Sequence, residues 1–231
     1  VLGSAVGMDK DVAKRLLRDA GIPIVKFLVF GSNDKKELPF GHIIKQLRPP
    51  FFIKPANLGS SVGVSKVNSE NEFKKAVDEA FKYDRKILIE EGVNAREIEC
   101  AVLGNEDMKV SVLGEIIPHH EFYDYEAKYI DEDGAGLQVP AKLPEQLVVK
   151  IQQLAIKTCK VLGVEGMARV DFFLDRDTEK IYVNEVNTIP GFTSISMYPK
   201  LWEASGLSYS ELIDQLISLA LDRHVKEKGL V

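Results

Sequence analysis

GMARVDFFLD, residues Gly166–Asp175, is followed four residues later by KIYVNEVN, residues 180–187. Both segments largely alternate apolar with polar residues, which is typical of strands that have one buried face. Joined by the short connection 176–179, they predict an antiparallel hairpin. If Asp171 lies opposite Glu185, the constant sum of paired residue numbers places Arg169 opposite Asn187.

This register puts two carboxylates, one carboxamide and one guanidinium on the same face of the hairpin. The alternate residues are then expected to face a core: Ala168, Val170, Phe172 and Leu174. Carboxylates that face each other repel unless a cation lies between them, and hard oxygen ligands suit Mg²⁺ held jointly with phosphates. The alternative is a solvated sheet face with ordinary charge pairs.

The rest of the chain mixes helices with hairpins and has no regular βαβ rhythm. Helices are predicted from Asp9 or Asp11 to Gly21 and at 43–47, 73–81, 145–162 and 209–224. Strands are predicted at 24–30, 51–55, 63–67, 86–91, 97–104 and 108–117. This pattern predicts an α+β fold with antiparallel sheets rather than a doubly wound sheet, and a domain boundary near 92–95.

Composition narrows the function classes. Of the 231 residues, 45% are hydrophobic and 28% charged, and 30 basic against 35 acidic side chains argue against a general nucleic-acid binder. No apolar run reaches the roughly 18–20 residues of a membrane span, so no membrane partner is expected. Cys100 and Cys159 are interpreted as buried thiols in a reducing compartment, with a disulfide as the alternative. Because the chain begins at Val1 rather than Met, we expect it to be cut from a longer one.

The segment NLGSSVG, residues 57–63, joins two predicted strands. Its glycines would let the backbone approach an anion, and Lys54 precedes it on a strand. An ordinary hairpin turn is the alternative. Neither the P-loop nor the dinucleotide-binding glycine pattern occurs in the sequence.

Two further segments carry charged residues near predicted bends. In LIEEGVNAREIE, 88–99, Glu90 and Glu97 could accept from an adenine amino group or ribose hydroxyls, or simply form a charged edge. FYDYEAKY, 122–129, lies in an aperiodic stretch and indicates a mobile loop whose lysine could close over phosphates; the alternative is a disordered surface loop. The adjacent His119 and His120 are interpreted as structural or rim residues.

Taken in order, these segments resemble the D-alanine–D-alanine ligase family of the ATP-grasp superfamily. The segments are MDK, FIKP, ANLGSSVGVSKV, LIEE, FYDYEAKY, ARVDFFLD and NEVNTIPGFTSIS. The resemblance implies two α+β lobes whose antiparallel sheets grip Mg-ATP, the central lobe at 1–93 and the C-terminal lobe at 94–231. Residues 1–8 resemble the connection from an N-terminal lobe. That lobe, which completes the site for the first D-alanine, is expected to be absent here.

The resemblance also implies roles for single residues. ATP would be bound by Lys10, Lys54 and Lys128 at the phosphates, Glu90 and Val93 at the adenine, and Glu97 at the ribose. Two Mg²⁺ or Mn²⁺ ions would be bound by Asp171, Glu185 and Asn187. Arg169 and the backbone of Gly191 would stabilise an oxyanion. Ser196 and Met197 would bind the second D-alanine. Ser60 and Tyr129 would link the loop at 122–129 to the first D-alanine. No side-chain role is assigned to Glu91.

By the same resemblance, the expected protein is a cytoplasmic, ADP-forming ligase. It would join two D-alanines through an acylphosphate for peptidoglycan synthesis, with ATP and two Mg²⁺ or Mn²⁺ as cofactors. A homodimer is implied at full length, and neither nucleic acid nor membrane is expected as a partner. The presence of Tyr129 favours a dipeptide product. The alternatives are D-lactate or D-serine as nucleophile, or a chain that binds Mg-ATP without turnover.

Overall fold

The structure is a computed structural model that describes residues 1–38, 40–118 and 135–229, which form two antiparallel sheets. The four-stranded sheet contains β1 (Phe27–Gly31), β2 (Phe51–Pro55), β3 (Ser65–Val67) and β4 (Lys86–Glu91), in the order β1-β4-β2-β3. The five-stranded sheet contains β5 (Ala95–Gly104), β6 (Lys109–Pro118), β7 (Ala135–Gln138), β8 (Gly166–Asp175) and β9 (Ile181–Asn187), in the order β7-β6-β5-β8-β9. The predicted α+β class is confirmed.

The helices flank these sheets. They are α1 (Leu2–Met8), α2 (Lys10–Asp19), a 3₁₀ helix (Ser32–Glu37), α3 (Phe40–Gln46), α4 (Glu70–Tyr83), α5 (Glu145–Val161), α6 (Met197–Ala204) and α7 (Tyr209–Lys228). Within the described ranges, none of these helices has the length and apolarity that crossing a membrane requires.

Helix α2 begins where its first amide groups find an acceptor. The carboxylate of Asp9 accepts hydrogen bonds from the backbone NH groups of Asp11, at 3.0 Å, and Val12, at 3.2 Å. Such a cap satisfies donors that have no partner inside the helix. Of the two capping residues that the sequence allowed, Asp9 is therefore the one used.

The four-stranded sheet buries one face against α4. That helix places Phe73, Ala76, Val77 and Ala80 on a single stripe, the spacing that an amphipathic helix requires. The Phe73 ring meets the ring of Phe51 edge-on at 6.1 Å between centroids. Helix α4 thus packs on β2, which is with β4 one of the two central strands of the sheet.

The five-stranded sheet buries one face against α5 and α2. The residues that the hairpin pattern assigned to a core are buried on this face: Ala168, Val170, Phe172 and Leu174. Ile151 of α5 and Leu17 of α2 belong to the same core. The division into domains 1–93 and 94–231 stays a prediction.

Both cysteines lie in this core as free, buried thiols, which confirms their interpretation as buried thiols. Burial raises the pKa of the Cys159 thiol to about 12, and it raises the pKa of Cys100 above its usual range as well. Thiols of this kind act as small apolar side chains rather than as nucleophiles.

The opposite face of the same sheet is partly covered by α6 and α7. Tyr198 of α6 is fully buried, and its hydroxyl donates to the backbone oxygen of Val102 at 2.9 Å. A Cβ on Gly114 of β6 would lie 2.7 Å from the sulfur of Met197, so the glycine permits this close approach. The rest of that face carries the polar residues described below.

The β8–β9 pairing has the predicted register. Arg169 lies opposite Asn187 and Asp171 opposite Glu185, which confirms the constant-sum argument over this part of the hairpin. A bulge then shifts the register, so that Phe172 pairs with Val183. Bulges often re-aim side chains beside a functional site, and this one directly follows Asp171.

We predict that replacing Ile151 with alanine destabilises the fold far more than the same change at Ile217. Ile151 is fully buried in the core under α5, whereas Ile217 of α7 is 55% exposed. Ile151→Ala should lower the free energy of unfolding by about 2–5 kcal/mol, and Ile217→Ala by about 0.5 kcal/mol or less. Urea denaturation of both variants measures the difference, and equal losses would contradict the packing of α5.

Candidate functional site

Polar side chains converge on one face of the β8–β9 hairpin. The guanidinium of Arg169 donates to both carboxylate oxygens of Asp171, at 2.7 and 2.8 Å. The amide nitrogen of Asn187 also donates to Asp171, at 2.9 Å. The Nε of Arg169 lies 3.0 Å from an oxygen of Glu99. Burial opposes the charge of Arg169, but the carboxylates of Asp171 and Glu99 raise its pKa above the usual range.

Glu99 is a member of this cluster that the sequence reasoning missed. It lies on β5 directly opposite Asp171 of β8 and is 5% exposed. Burial and the neighbouring charge of Asp171 raise the pKa of Glu99 to about 8. The alternation of EIECAV, residues 97–102, places Glu97 and Glu99 on one face, but only the β5–β8 pairing shows which face that is.

The donor set on this hairpin fits a hard cation that also binds phosphate. Asp171 and Glu185 offer carboxylate oxygens, and Asn187 offers a carboxamide oxygen, at adjoining positions of the ladder. Among the described residues there is no cluster of three or more His, Cys, Asp or Glu side chains that could bind a metal ion. Since Mg²⁺ takes an octahedral set of oxygen ligands, these side chains leave positions for phosphates and water, which is how Mg²⁺ is commonly bound.

Lys10 connects this hairpin with the glycine-rich segment. Its ammonium group lies 4.0 Å from Glu185 and donates to the backbone oxygen of Leu58, while its backbone NH donates to Ala56 at 3.0 Å. A cavity of about 230 Å³ opens at this point, lined by Lys10, Gly59, Glu185 and Asn187 among others. Of the predicted phosphate and metal residues, Lys10, Glu185 and Asn187 thus line one cavity, whereas Lys54 and Asp171 are not among its lining residues.

The backbone of the glycine-rich segment adopts left-handed conformations. Ser60 and Ser61 have φ values of 55° and 58°, and Gly63 has a φ of 70°. Non-glycine residues rarely adopt such values, and they recur at ligand-binding loops. Asn57 anchors the segment, because its backbone and side-chain nitrogens both donate to Asp84, at 2.9 and 2.8 Å.

Glu90 is buried between two lysines. Lys54 donates to one carboxylate oxygen at 2.7 Å, and the ammonium group of Lys14 lies 3.3 Å from the other. Burial alone would raise the pKa of Glu90, but the charges of Lys14 and Lys54 outweigh it and lower the pKa to about 2. The carboxylate therefore stays ionised although it is 1% exposed.

The remaining predicted residues lie around these clusters. Glu97 is half-buried near the start of β5, and Val93 lies in the connection between β4 and β5. A Cβ on Gly191 would lie 2.8 Å from the hydroxyl of Ser196, so the two are in close contact. The Ser196 hydroxyl accepts from the backbone NH of Thr193 at 3.1 Å. The side chain of Met197 is 5% exposed and packs in the core under α6.

Several predicted residues lie outside the described ranges: His119, His120, Lys128 and Tyr129. Their roles, and those of the other site residues, stay predictions.

Two antiparallel α+β halves that meet at lysines, a glycine-rich segment and a carboxylate cluster define the class of fold as ATP-grasp. The chain belongs to the D-alanine–D-alanine ligase family, since the family model described as "D-ala D-ala ligase C-terminus" matches residues 16–218.

Relatives support this assignment. The chain is 57% identical over 230 residues to a D-alanine–D-alanine ligase of Oceanobacillus iheyensis, and 52% identical to D-alanine–D-alanine ligase A of Escherichia coli. Each match covers 100% of this chain and 63% of the relative, so the chain spans less than two thirds of these proteins.

Solved structures have the same fold. The D-alanine–D-alanine ligase from Coxiella burnetii superposes with a TM-score of 0.88 at 45% identity, over 99% of this chain and 61% of that one. A D-Ala:D-Ser ligase from Enterococcus faecalis gives 0.86 at 39% identity, over 94% and 63% of the two chains.

The charge of Glu90 predicts an acid-dependent loss of stability. Because its pKa falls from 4.5 to about 2 on folding, its ionised form contributes about 3 kcal/mol that is present above pH 4.5 and lost as the pH falls towards 2. The double variant Lys14→Met/Glu90→Gln lacks this charged pair. Between pH 7 and pH 3 the unaltered chain should lose about 2 kcal/mol more unfolding free energy than the double variant.

Urea denaturation at the two pH values provides the measurement. Glu145→Gln, at an exposed carboxylate on α5, is the control and should keep the pH dependence of the unaltered chain. Parallel pH profiles for the unaltered chain and the double variant would contradict the assignment.

Proposed function

We propose that this chain forms the nucleotide- and metal-binding part of an ADP-forming ligase that joins two D-alanines for peptidoglycan synthesis. The observation that carries the proposal is the cavity where Lys10 and the glycine-rich segment face Glu185 and Asn187. Polyphosphate needs cations and backbone NH groups, and its metal ions need oxygen ligands, so one cavity meets both needs. The names of the relatives supply the substrate class.

ATP would lie between the two sheets. Lys10 and Lys54 would contact its phosphates, with Lys128 added from the segment that the structure does not describe. Glu90 and the neighbourhood of Val93 would hold the adenine, and Glu97 the ribose. Glu90 and Glu97 lie on β4 and β5, on either side of the connection between the two sheets that contains Val93.

Two Mg²⁺ or Mn²⁺ ions would be held by Asp171, Glu185 and Asn187. Bound there, the ions would neutralise phosphate charge as the phosphoryl group is transferred. The carboxylate of Asp171 accepts hydrogen bonds from Arg169 and Asn187. A bound ion would therefore share this carboxylate with both residues.

The reaction would convert a poor electrophile into a good one. The carboxylate of the first D-alanine takes the γ-phosphoryl group of ATP, giving an acylphosphate and ADP. The neutral amine of the second D-alanine then attacks the acyl carbon, loses a proton, and expels phosphate. Arg169 and the backbone NH of Gly191 would stabilise the oxyanion of the tetrahedral intermediate.

Substrate binding would use the loops at the edge of the site. Ser196, with Met197 beside it, would receive the carboxylate of the second D-alanine. Ser60 and Tyr129 would connect the glycine-rich segment with the first D-alanine. We likewise propose that a further part of the protein completes the site for the first D-alanine and that the chain divides into two domains at 93/94. The protein would be cytoplasmic and would form a homodimer at full length.

A second candidate is a ligase with D-serine as nucleophile. The similarity to a D-Ala:D-Ser ligase, at 39% identity and a TM-score of 0.86, favours including it. D-lactate is another possible nucleophile, although Tyr129 favours an amine. The last alternative is that the chain binds Mg-ATP without turnover.

The function is tested by measuring ADP release from Mg-ATP with and without D-alanine. The chain is assayed alone and fused behind the amino-terminal region of the Oceanobacillus relative, and mass spectrometry identifies the product. ADP release that depends on D-alanine, together with the dipeptide, is expected from the fusion. With D-alanine present, a mixed product that contains D-serine or D-lactate, formed in place of the D-alanine dipeptide, would move the assignment to the corresponding alternative.

We predict that Glu185→Gln lowers the turnover of the fusion at least about 100-fold, because the amide removes a charge that binds the metal ion. Glu179→Gln is the matched control, since Glu179 lies exposed in the turn of the same hairpin. Steady-state ADP release gives both rates. Near-normal turnover in Glu185→Gln would refute the metal assignment.

A further inference from the structure

Lys14 is a buried lysine for which the proposed reaction has no role. It lies on α2 and is 1% exposed, which places it among the largest fully buried side chains of the described chain. Lysine is almost never fully buried unless it is paired. Its ammonium group lies 3.3 Å from one oxygen of Glu90. Burial lowers the pKa of Lys14, and the charge of Glu90 acts against that decrease.

The second oxygen of the same carboxylate accepts from Lys54 at 2.7 Å. One anion therefore stands between two cations, and the three groups carry one net positive charge if all are ionised. Lys54 is 12% exposed in its side chain, compared with 2% for Lys14. Lys54 is thus the partner that a ligand can reach, and Lys14 is the partner that stays inside.

A phosphate that binds Lys54 must compete with Glu90 for the same ammonium group. If Lys54 were the sole counter-ion, its departure would leave a buried carboxylate unpaired, which is strongly unfavourable. With Lys14 in place, Glu90 keeps one cation when Lys54 turns to a phosphate. The second lysine therefore lowers the free energy that is needed to release the first.

Other contacts hold helix α2, which carries Lys14, against the sheet. Its N-cap residue Asp9 and its residue Asp11 lie 2.6 and 3.1 Å from the ammonium group of Lys86, which is on β4 with Glu90. Residues 86 and 90 face the same side of a strand. Leu17, one turn beyond Lys14, packs into the core of the five-stranded sheet. Helix α2, which carries Lys14, is thus held by ion pairs to β4 and by apolar packing on the five-stranded sheet.

We propose that Lys14 is a positioning residue for nucleotide binding: it holds Glu90 as a paired carboxylate, so that Lys54 is free to bind the phosphates of Mg-ATP. This inference rests on the proposed function, because it takes Lys54 as a phosphate-binding residue. The ammonium group of Lys14 pairs with Glu90, so Lys14 acts on the nucleotide through Glu90 and Lys54.

The test is a double-mutant cycle on the chain itself, with the Kd for Mg-ATP measured by calorimetry. Lys14→Met keeps the shape of the side chain and removes its charge. It should raise the Kd about 10- to 100-fold in the presence of Lys54. In the Lys54→Met background the same change should alter the Kd by about twofold or less, because the residue it acts through is gone.

A merely structural role for Lys14 would give equal effects in both backgrounds, and that result would overturn the inference. Arg18→Met removes an exposed cation from the same helix and should leave the Kd unchanged. Thermal unfolding of each variant shows whether it is folded.

A second comparison applies if Lys14→Met does not fold. Glu90→Gln and Lys14→Met/Glu90→Gln should then have Kd values within about twofold of each other, because Lys14 has no carboxylate left to hold. A large difference between them would overturn the inference. No Mg-ATP binding by the unaltered chain would refute the nucleotide part of the proposed function and the inference with it, whereas binding that Lys14→Met does not weaken would refute the inference alone.

Discussion

The register of the β8–β9 hairpin is the constraint on which the rest of the site depends. It sets Asp171 opposite Glu185 and Arg169 opposite Asn187, so the polar groups share one face while Val170 and its apolar neighbours enter the core on the other. A slip by one residue would exchange the two faces, burying the charges and exposing the core. The alternation of polar and apolar residues along β8 and β9 therefore buries the core on one face and brings the oxygen ligands together on the other.

Each buried carboxylate of the site is compensated in its own way. Glu90 has two lysines, whereas Asp171 has the guanidinium of Arg169 and the amide of Asn187. Glu99 shares Arg169 with Asp171, and burial together with the charge of Asp171 raises the pKa of Glu99 although Arg169 acts against that increase. The group of Glu90 and its two lysines thus has an excess of cations, and the group of Asp171, Glu99 and Arg169 has an excess of carboxylates. This is the polarity that the proposed phosphate chain bridged by cations would require.

The sequence predicted most of what is local. The bounds of β2, β4 and β8, the β8–β9 register and the antiparallel α+β class follow from alternation over short segments. Helix α1 was missed because LGSAVGM contains two glycines and has no side-chain cap, and α6 because Pro199 lies in its first turn. Lys14 and Glu99 were missed for another reason: their partners, Glu90 and Asp171, are more than 70 residues away in the sequence. Periodicity shows that a residue is on a face, but only tertiary pairing shows what that face meets.

Helix α2 shows how one short segment can serve both sheets. Its apolar residues Ala13 and Leu17 pack on the five-stranded sheet, while Asp11 and Lys14 form ion pairs with β4 of the four-stranded sheet. Lys10, at its first turn, lies near both the glycine-rich segment and Glu185. A ligand that contacts Lys10 would therefore act on α2 directly, and a ligand that contacts Lys54 would act on it through Glu90 and Lys14. The ion pairs add contacts of defined geometry to the apolar packing of α2, so this helix connects the two sheets by both kinds of interaction.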